Sequence, residues 1–168
     1  HNSTSNSFFV TIDTDGTHTG YKFNGCTSLT EINMHNSAIT GPFPNFGDTG
    51  NSLVKINLQN TKMSGGTGGV ATDDQNYVIG SSTFNGCSSL VSFTCTGSSF
   101  IAKGDNTPGA IEDGIHQNAF LDLINVETIQ LNSNFKISGR LPILTTLAKL
   151  KYLNLQSNKF TGTIPTFS

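Results

Sequence analysis

Asp73, Asp74, Glu112 and Asp113 are the carboxylates whose clustering fits paired acid–base work, with one group protonated and its partner ionised. They fall in two stretches, about 64–80 and 97–118, that are rich in Gly or broken by Pro108-Gly109. Nothing there fixes how far apart the pairs stand, and loops of this kind hold reacting groups poorly. His18, His35 and His116 lie in different regions, without the spacing of metal ligands. Asp13-Thr-Asp-Gly16 is shared by calcium loops, but its Gly comes too early and no bidentate Glu follows at the required distance, so it reads as a turn. Ser64-Gly-Gly-Thr-Gly-Gly69 lacks the Gly-Lys-Ser/Thr of a phosphate-binding loop. Cys26, Cys87 and Cys95 form no Cys-x-x-Cys pair and are odd in number, so no closed disulfide framework follows. The chemistry-bearing residues therefore predict no catalytic centre, no metal site and no cofactor. The chain reads as a non-enzyme.

Composition points the same way. Lys, Arg, Asp and Glu make up only 12% of the 168 residues, about half the usual ~25%. Thr, Ser and Asn fill the gap with 22, 18 and 18 residues. A surface of hydroxyls and amides with net charge −2 lacks the basic field that nucleic acid requires. No apolar run approaches the ~20 residues needed to span a bilayer, so membrane insertion is not expected. Such a composition favours an extracellular, cell-surface or virion-surface setting. The chain opens at His1 rather than Met, as a processed product or a fragment would. Asn2-Ser3-Thr4 is a glycosylation sequon in the N-terminal tail.

The elements that carry these residues emerge from internal repetition. The clearest segment is Leu150-x-x-Leu153-x-Leu155-x-x-Asn158-x-Phe160-x-Gly162-x-Ile164-Pro165. The same frame recurs from Leu29, Leu53, Leu90 and Val126, at steps of 24, 37, 36 and 24 residues. A lead-in precedes each anchor: Phe23, Gly47, Phe84, Phe120 and Leu144 six residues before, and Cys26, Gly50, Cys87, Leu123 and Leu147 three before. Spacing of three implies an inward helical or 3-10 turn, and spacing of two after the anchor implies a strand with alternate residues inward. The Gly47/Gly50 copy is the exception. No such unit buries its apolar column alone, so the units must stack. On this register Leu53, Leu58, Phe93, Leu131, Leu153 and Leu155 are expected to be almost fully buried, and Cys26, Cys87 and Cys95 to be buried free thiols.

This frame resembles the leucine-rich repeat family over residues 20–166. The Asn158-to-Pro165 ending is similar to the plant-type subclass, and Phe23-Asn-Gly-Cys-Thr-Ser-Leu29 and Phe84-Asn-Gly-Cys-Ser-Ser-Leu90 are similar to bacterial surface repeats. The resemblance implies an α/β fold: a horseshoe solenoid of about five coils, with a parallel concave β-sheet and short helical or 3-10 turns on the convex side. It also implies recognition through the concave face. The family's inward Asn survives as Asn134 and Asn158. Ser37, Thr61 and Ser98 replace it elsewhere and bond the backbone less completely.

Residues 1–19 are read as a tail and a capping strand beginning near Phe8. Residues 20–168 are read as the solenoid, with insertions at about 64–80 and 97–118. Strand alternation turns a set of polar residues outward: Asn33 and His35; Lys55, Asn57 and Gln59; Thr94 and Thr96; Gln130 and Asn132; Tyr152, Asn154 and Gln156. This surface, or the loop edge, is the expected contact for a protein or a glycan. A structural role, as a fibre, decoration or surface-layer domain, is the competing expectation. The last repeat has no polar cap in sequence, and residues 128–168 carry five bases and no acid. Continued chain or a partner subunit is expected to cover that end.

Overall fold

A computed structural model describes residues 9–12, 18–23, 26–67, 77–98 and 114–164. Five short strands form one parallel sheet: β3 (Glu31–Asn33), β5 (Lys55–Asn57), β7 (Ser92–Thr94), β8 (Thr128–Gln130) and β10 (Tyr152–Asn154), in the order β10-β8-β7-β5-β3. Its rows are the rows of the repeat frame, because Ile32, Ile56, Phe93, Ile129 and Leu153 are cross-strand partners. Each strand is three residues long with its middle residue inward, so one apolar side chain per strand faces the core.

The strands end for a local reason. Asn36, Asn60, Gly97, Ser133 and Ser157 occupy the same place in each repeat, and all have φ between 55° and 63°. Such a left-handed residue turns the chain inward, and Gly and Asn adopt it at least cost. At position 97 a Cβ would also collide with Asn60 Oδ1, so the tightest of these corners uses Gly.

Immediately after the corner a polar residue enters the core. Asn134 is fully buried: its Nδ2 donates to Cys95 O (2.6 Å) and Leu131 O (2.8 Å), and its Oδ1 accepts the Ser98 N–H (2.9 Å). Asn158 Nδ2 donates to Leu131 O and Leu155 O, each at 2.8 Å. Where the residue is shorter the bonding thins out. Ser98 Oγ donates to Leu58 O at 3.2 Å and meets Thr61 Oγ1 at 3.2 Å, while Ser37 Oγ is buried without a partner.

Opposite the sheet the lead-in residues form a column of rings. Phe23 stacks on Phe46 (5.8 Å between centroids), Phe46 on Phe84 (5.6 Å), and Phe84 meets Phe120 at 5.9 Å. Phe46, not Gly47, therefore fills the second repeat's place, which corrects the apparent exception. The frame slips by one residue there, and the 3-10 helix Gly47–Ser52 takes up the slack, with Thr49 buried where the other repeats place Cys or Leu. It is the one regular helix among the described residues. The other lead-ins are single hydrogen-bonded turns, such as Cys87 N–H to Phe84 O (2.9 Å) and Leu90 N–H to Cys87 O (3.1 Å).

Two-stranded parallel pairs follow the corners: β4 (Thr40–Phe43) with β6 (Lys62–Thr67), and β9 (Ser138–Arg140) with β11 (Lys159–Thr161). Ile79 and Ile115 join in an isolated parallel bridge. The insertion boundaries need correction here. Val78, Ile79 and Ile115 are core residues, so both insertions return into the stack before positions 80 and 118. The N-terminal strand is one arm of an antiparallel hairpin, β1 (Phe9–Ile12) with β2 (His18–Lys22), rather than a lone cap. The Asp13–Gly16 turn and the sequon at Asn2 lie outside the described residues, as do Asp73, Asp74, Glu112 and Asp113.

Leu53, Leu58, Phe93 and Leu131 are fully buried, but Leu153 and Leu155 are only partly so. They belong to the last repeat, in and just after β10, and no described residue packs on its far side. Leu131→Ala is expected to cost about 2–5 kcal/mol and Phe46→Ala about 3–5 kcal/mol. Leu155→Ala should cost clearly less. Urea denaturation with an unchanged m-value would measure all three, and a loss well under ~1 kcal/mol for Leu131→Ala would overturn the register.

Candidate functional site

The outward face of the sheet forms three rows across the strands, spaced by the ~4.8 Å between neighbouring chains. The first runs Glu31, Lys55, Ser92, Thr128, Tyr152, and the centre row runs Asn33, Asn57, Thr94, Gln130, Asn154. The third contains His35, Gln59, Thr96, Asn132 and Gln156, tied by backbone bonds such as Asn60 N–H to Thr96 O and Gly97 N–H to Asn132 O.

The centre amides are oriented by their own strands. Asn57 Oδ1 accepts the Gln59 N–H at 3.2 Å and Asn154 Oδ1 accepts the Gln156 N–H at 3.1 Å. Asn33 Oδ1 contacts His35 Nδ1 at 2.6 Å. A main-chain N–H bonds only an acceptor, so the oxygens of Asn57 and Asn154 are fixed and their Nδ2 groups are left as donors. Asn154 Nδ2 reaches Tyr152 Oη at 3.3 Å. In the first row Lys55 Nζ pairs with Glu31 Oε1 at 3.2 Å. Both side chains are about half exposed, so the pair is worth at most ~1 kcal/mol, but it cancels the charge of that corner. The face is thus nearly neutral and rich in donors.

Of the sequence-designated residues, His35, Lys55, Gln59, Tyr152 and Gln156 are exposed, and Asn33 lies exposed beside them. Asn57, Thr94, Gln130, Asn132 and Asn154 are partly exposed. Thr96 is a correction: it is 8% exposed and belongs to the buried set. It lies two residues past the end of β7, in the row with Gln59 and Asn132. Asn132 Oδ1 beside it is buried with no partner among the described residues.

The thiols offer no nucleophile. Cys26, Cys87 and Cys95 are buried thiols outside any disulfide. Burial pushes Cys87 up to about 12, opposed by a hydrogen bond with Thr49 and reinforced by the charge of Asp122. Burial likewise pushes Cys95 up to about 12, against a hydrogen bond with Ser98. Among the described residues no group of His, Cys, Asp or Glu is arranged to hold a metal ion, and no helix is long and apolar enough to cross a membrane.

Sequence reasoning missed a second place. A cavity of about 390 Å³ is lined by Tyr77, His116 and Arg140 among others, residues that come from three different repeats. The signal available was that both insertions leave the stack on one edge, which brings their returning ends together.

The family model described as Leucine Rich Repeat matches residues 149–167, the last repeat of the frame. No curated protein matches the sequence. Together with a sheet whose rows repeat the sequence frame, the family match supports a leucine-rich repeat family for this chain, with a repeat solenoid of mostly parallel strands. Leucine-rich repeats generally mediate protein binding and are typically binding modules rather than enzymes.

A pH prediction follows from the thiols. Their folded values lie above the ordinary thiol value of 9.0, so the stability they contribute is present below about pH 9 and is lost as pH rises toward about 12. Thermal midpoints between those limits should fall more steeply for the native protein than for a Cys87→Ala/Cys95→Ala variant. Equal slopes would show that burial does not suppress ionisation.

Proposed function

We propose that the chain is a non-catalytic recognition or adhesion module on an extracellular or particle surface, taking up a protein segment against the outer face of its sheet. The oriented centre row carries this reading. With Asn57 and Asn154 Oδ1 already engaged by the backbone, the face offers amide donors in line, suited to the carbonyl oxygens of a docked main chain. Tyr152, 49% exposed at one end of the first row, supplies an aromatic surface beside them. The low charge of the whole chain supports a surface setting, where solubility rests on hydroxyls and amides. Sugar hydroxyls satisfy the same donors, so a glycan is the alternative occupant.

A second reading is favoured by the terminal edge. In the inner repeats Met34, Leu58, Cys95 and Leu131 each donate their N–H to the next repeat at 2.8 Å, and Asn36, Asn60, Gly97 and Ser133 donate theirs at 2.8–3.2 Å. The equivalent N–H groups of Leu155 and Ser157 have no acceptor among the described residues. Leu153, Leu155 and Phe160 are half-covered, and Ile164 is 76% exposed. Lys159 is exposed in the last strand, while Lys151 pairs with Glu127 of the preceding repeat at 2.9 Å. A bare edge with apolar surface suits a cover, either further chain or a partner subunit, as a structural assembly would supply.

Two experiments separate these readings. Screening against displayed peptides and a glycan array should yield binders that an Asn57→Leu/Gln130→Leu variant loses while keeping its thermal midpoint. Binding that survives those substitutions but disappears when residues 68–76 are shortened would move the site to the loop edge. Light scattering over a concentration series should show association of the chain through its open end, suppressed by Leu155→Lys. A monomer at every concentration would favour the free-standing module.

A further inference from the structure

The returning ends of the two insertions build a cavity that lies off the sheet face. Ile79 and Ile115 are bridged in parallel, with Val78 N–H donating to Gly114 O and His116 N–H to Ile79 O, both at 2.9 Å. Gly114 presses on β9 so closely that a Cβ there would collide with Ser138 O. Gln117 O accepts the Ile143 N–H at 2.9 Å. The walls are therefore backbone-braced on three sides, and the space between them measures about 390 Å³.

Its polar lining is one-sided. Arg140 brings a guanidinium that forms no ion pair among the described residues. His116 Nδ1 accepts the Asn118 N–H at 3.1 Å, which places the proton of the neutral ring on Nε2 and makes that atom a donor. Tyr77 meets the imidazole edge-on, 4.8 Å between centroids, and holds its plane. The Gln117 amide adds further donors, and no Asp or Glu lines the space among the described residues. Ile115, Leu141 and Ile143 supply the apolar remainder.

A braced cavity with a guanidinium and an imidazole donor, no carboxylate among its described lining and an apolar wall is matched to one kind of guest. The geometry points to a binding site for a carboxylate carried on a small apolar body, seated against Arg140 and His116 with its hydrocarbon on Ile115 and Ile143. Arg suits this role because its planar fork meets both carboxylate oxygens. The guest is either a free organic acid or the acidic group of a peptide, and the site is independent of the sheet-face reading.

Nuclear magnetic resonance titration of the whole chain tests it with three probes: N-acetyl-leucine, N-acetyl-glutamic acid α-amide and the neutral N-acetyl-leucinamide. At millimolar concentration either carboxylate should shift the His116 ring and the Ile143 methyl resonances. The neutral amide should bind at least about tenfold more weakly, as loss of a charge-assisted bond requires. Tighter binding of the first probe assigns a terminal or free carboxylate, and tighter binding of the second assigns an acidic side chain. Arg140→Gln, at an exposed strand position, should keep the thermal midpoint and weaken both by about tenfold or more, with Arg140→Lys intermediate. Equal binding of the neutral amide, shifts confined to other residues, no binding of either acid, or indifference to Arg140→Gln would each overturn the proposal.

Discussion

Once per repeat this chain turns back into its own core, and the main-chain polar groups carried in by that corner must be bonded there. An unpaired buried carbonyl costs on the order of 1–3 kcal/mol, so the corner cannot be left to chance. Asn134 meets the demand most completely, joining Cys95 O, Leu131 O and the Ser98 N–H through one side chain. The amide is long enough to reach the neighbouring repeat and still bond its own. Ser98 Oγ reaches one main-chain carbonyl, Leu58 O, and Ser37 Oγ has no partner among the described residues. Sheet register, ring column and outer rows all depend on this fastening, since it fixes how each repeat lies on the one before it.

The outer face inherits its order from that stack. A three-residue strand leaves its outward side chains close to the following corner, where free N–H groups point at them. Asn57 and Asn154 each accept from the N–H two residues on, so the same corner that fastens the core also orients the surface amides. Recognition by such a face needs no long anchoring side chains, because the donors are held in place by the backbone before any guest arrives.

Much of this was legible in the sequence for a simple reason. Strand alternation and the anchor residues depend only on local spacing, and spacing is what a sequence displays. The rows from Ile32 to Leu153 followed directly. Phe46 escaped because a 3-10 helix absorbs one residue between it and Leu53, which displaces the ring from its counted position without displacing it in space. Thr96 escaped because alternation assigns a side chain's direction and not how much of it is covered. The burial of Val78, Ile79 and Ile115 and the meeting of Tyr77, His116 and Arg140 were illegible for the same reason: each depends on where a long excursion re-enters, and no local pattern encodes that.

The unequal steps between anchors carry a last consequence. Neighbouring strands hold one register although their anchors are 24, 37, 36 and 24 residues apart. Each turn of the stack is therefore measured by where the chain re-enters, not by how much chain was spent between. Lengthening a circuit from 24 to 37 residues adds under about 0.6 kcal/mol of closure entropy. Such an architecture can acquire new surface by lengthening a circuit between a corner and the next ring, as it has done twice here, while every fastened contact of the stack stays as it was.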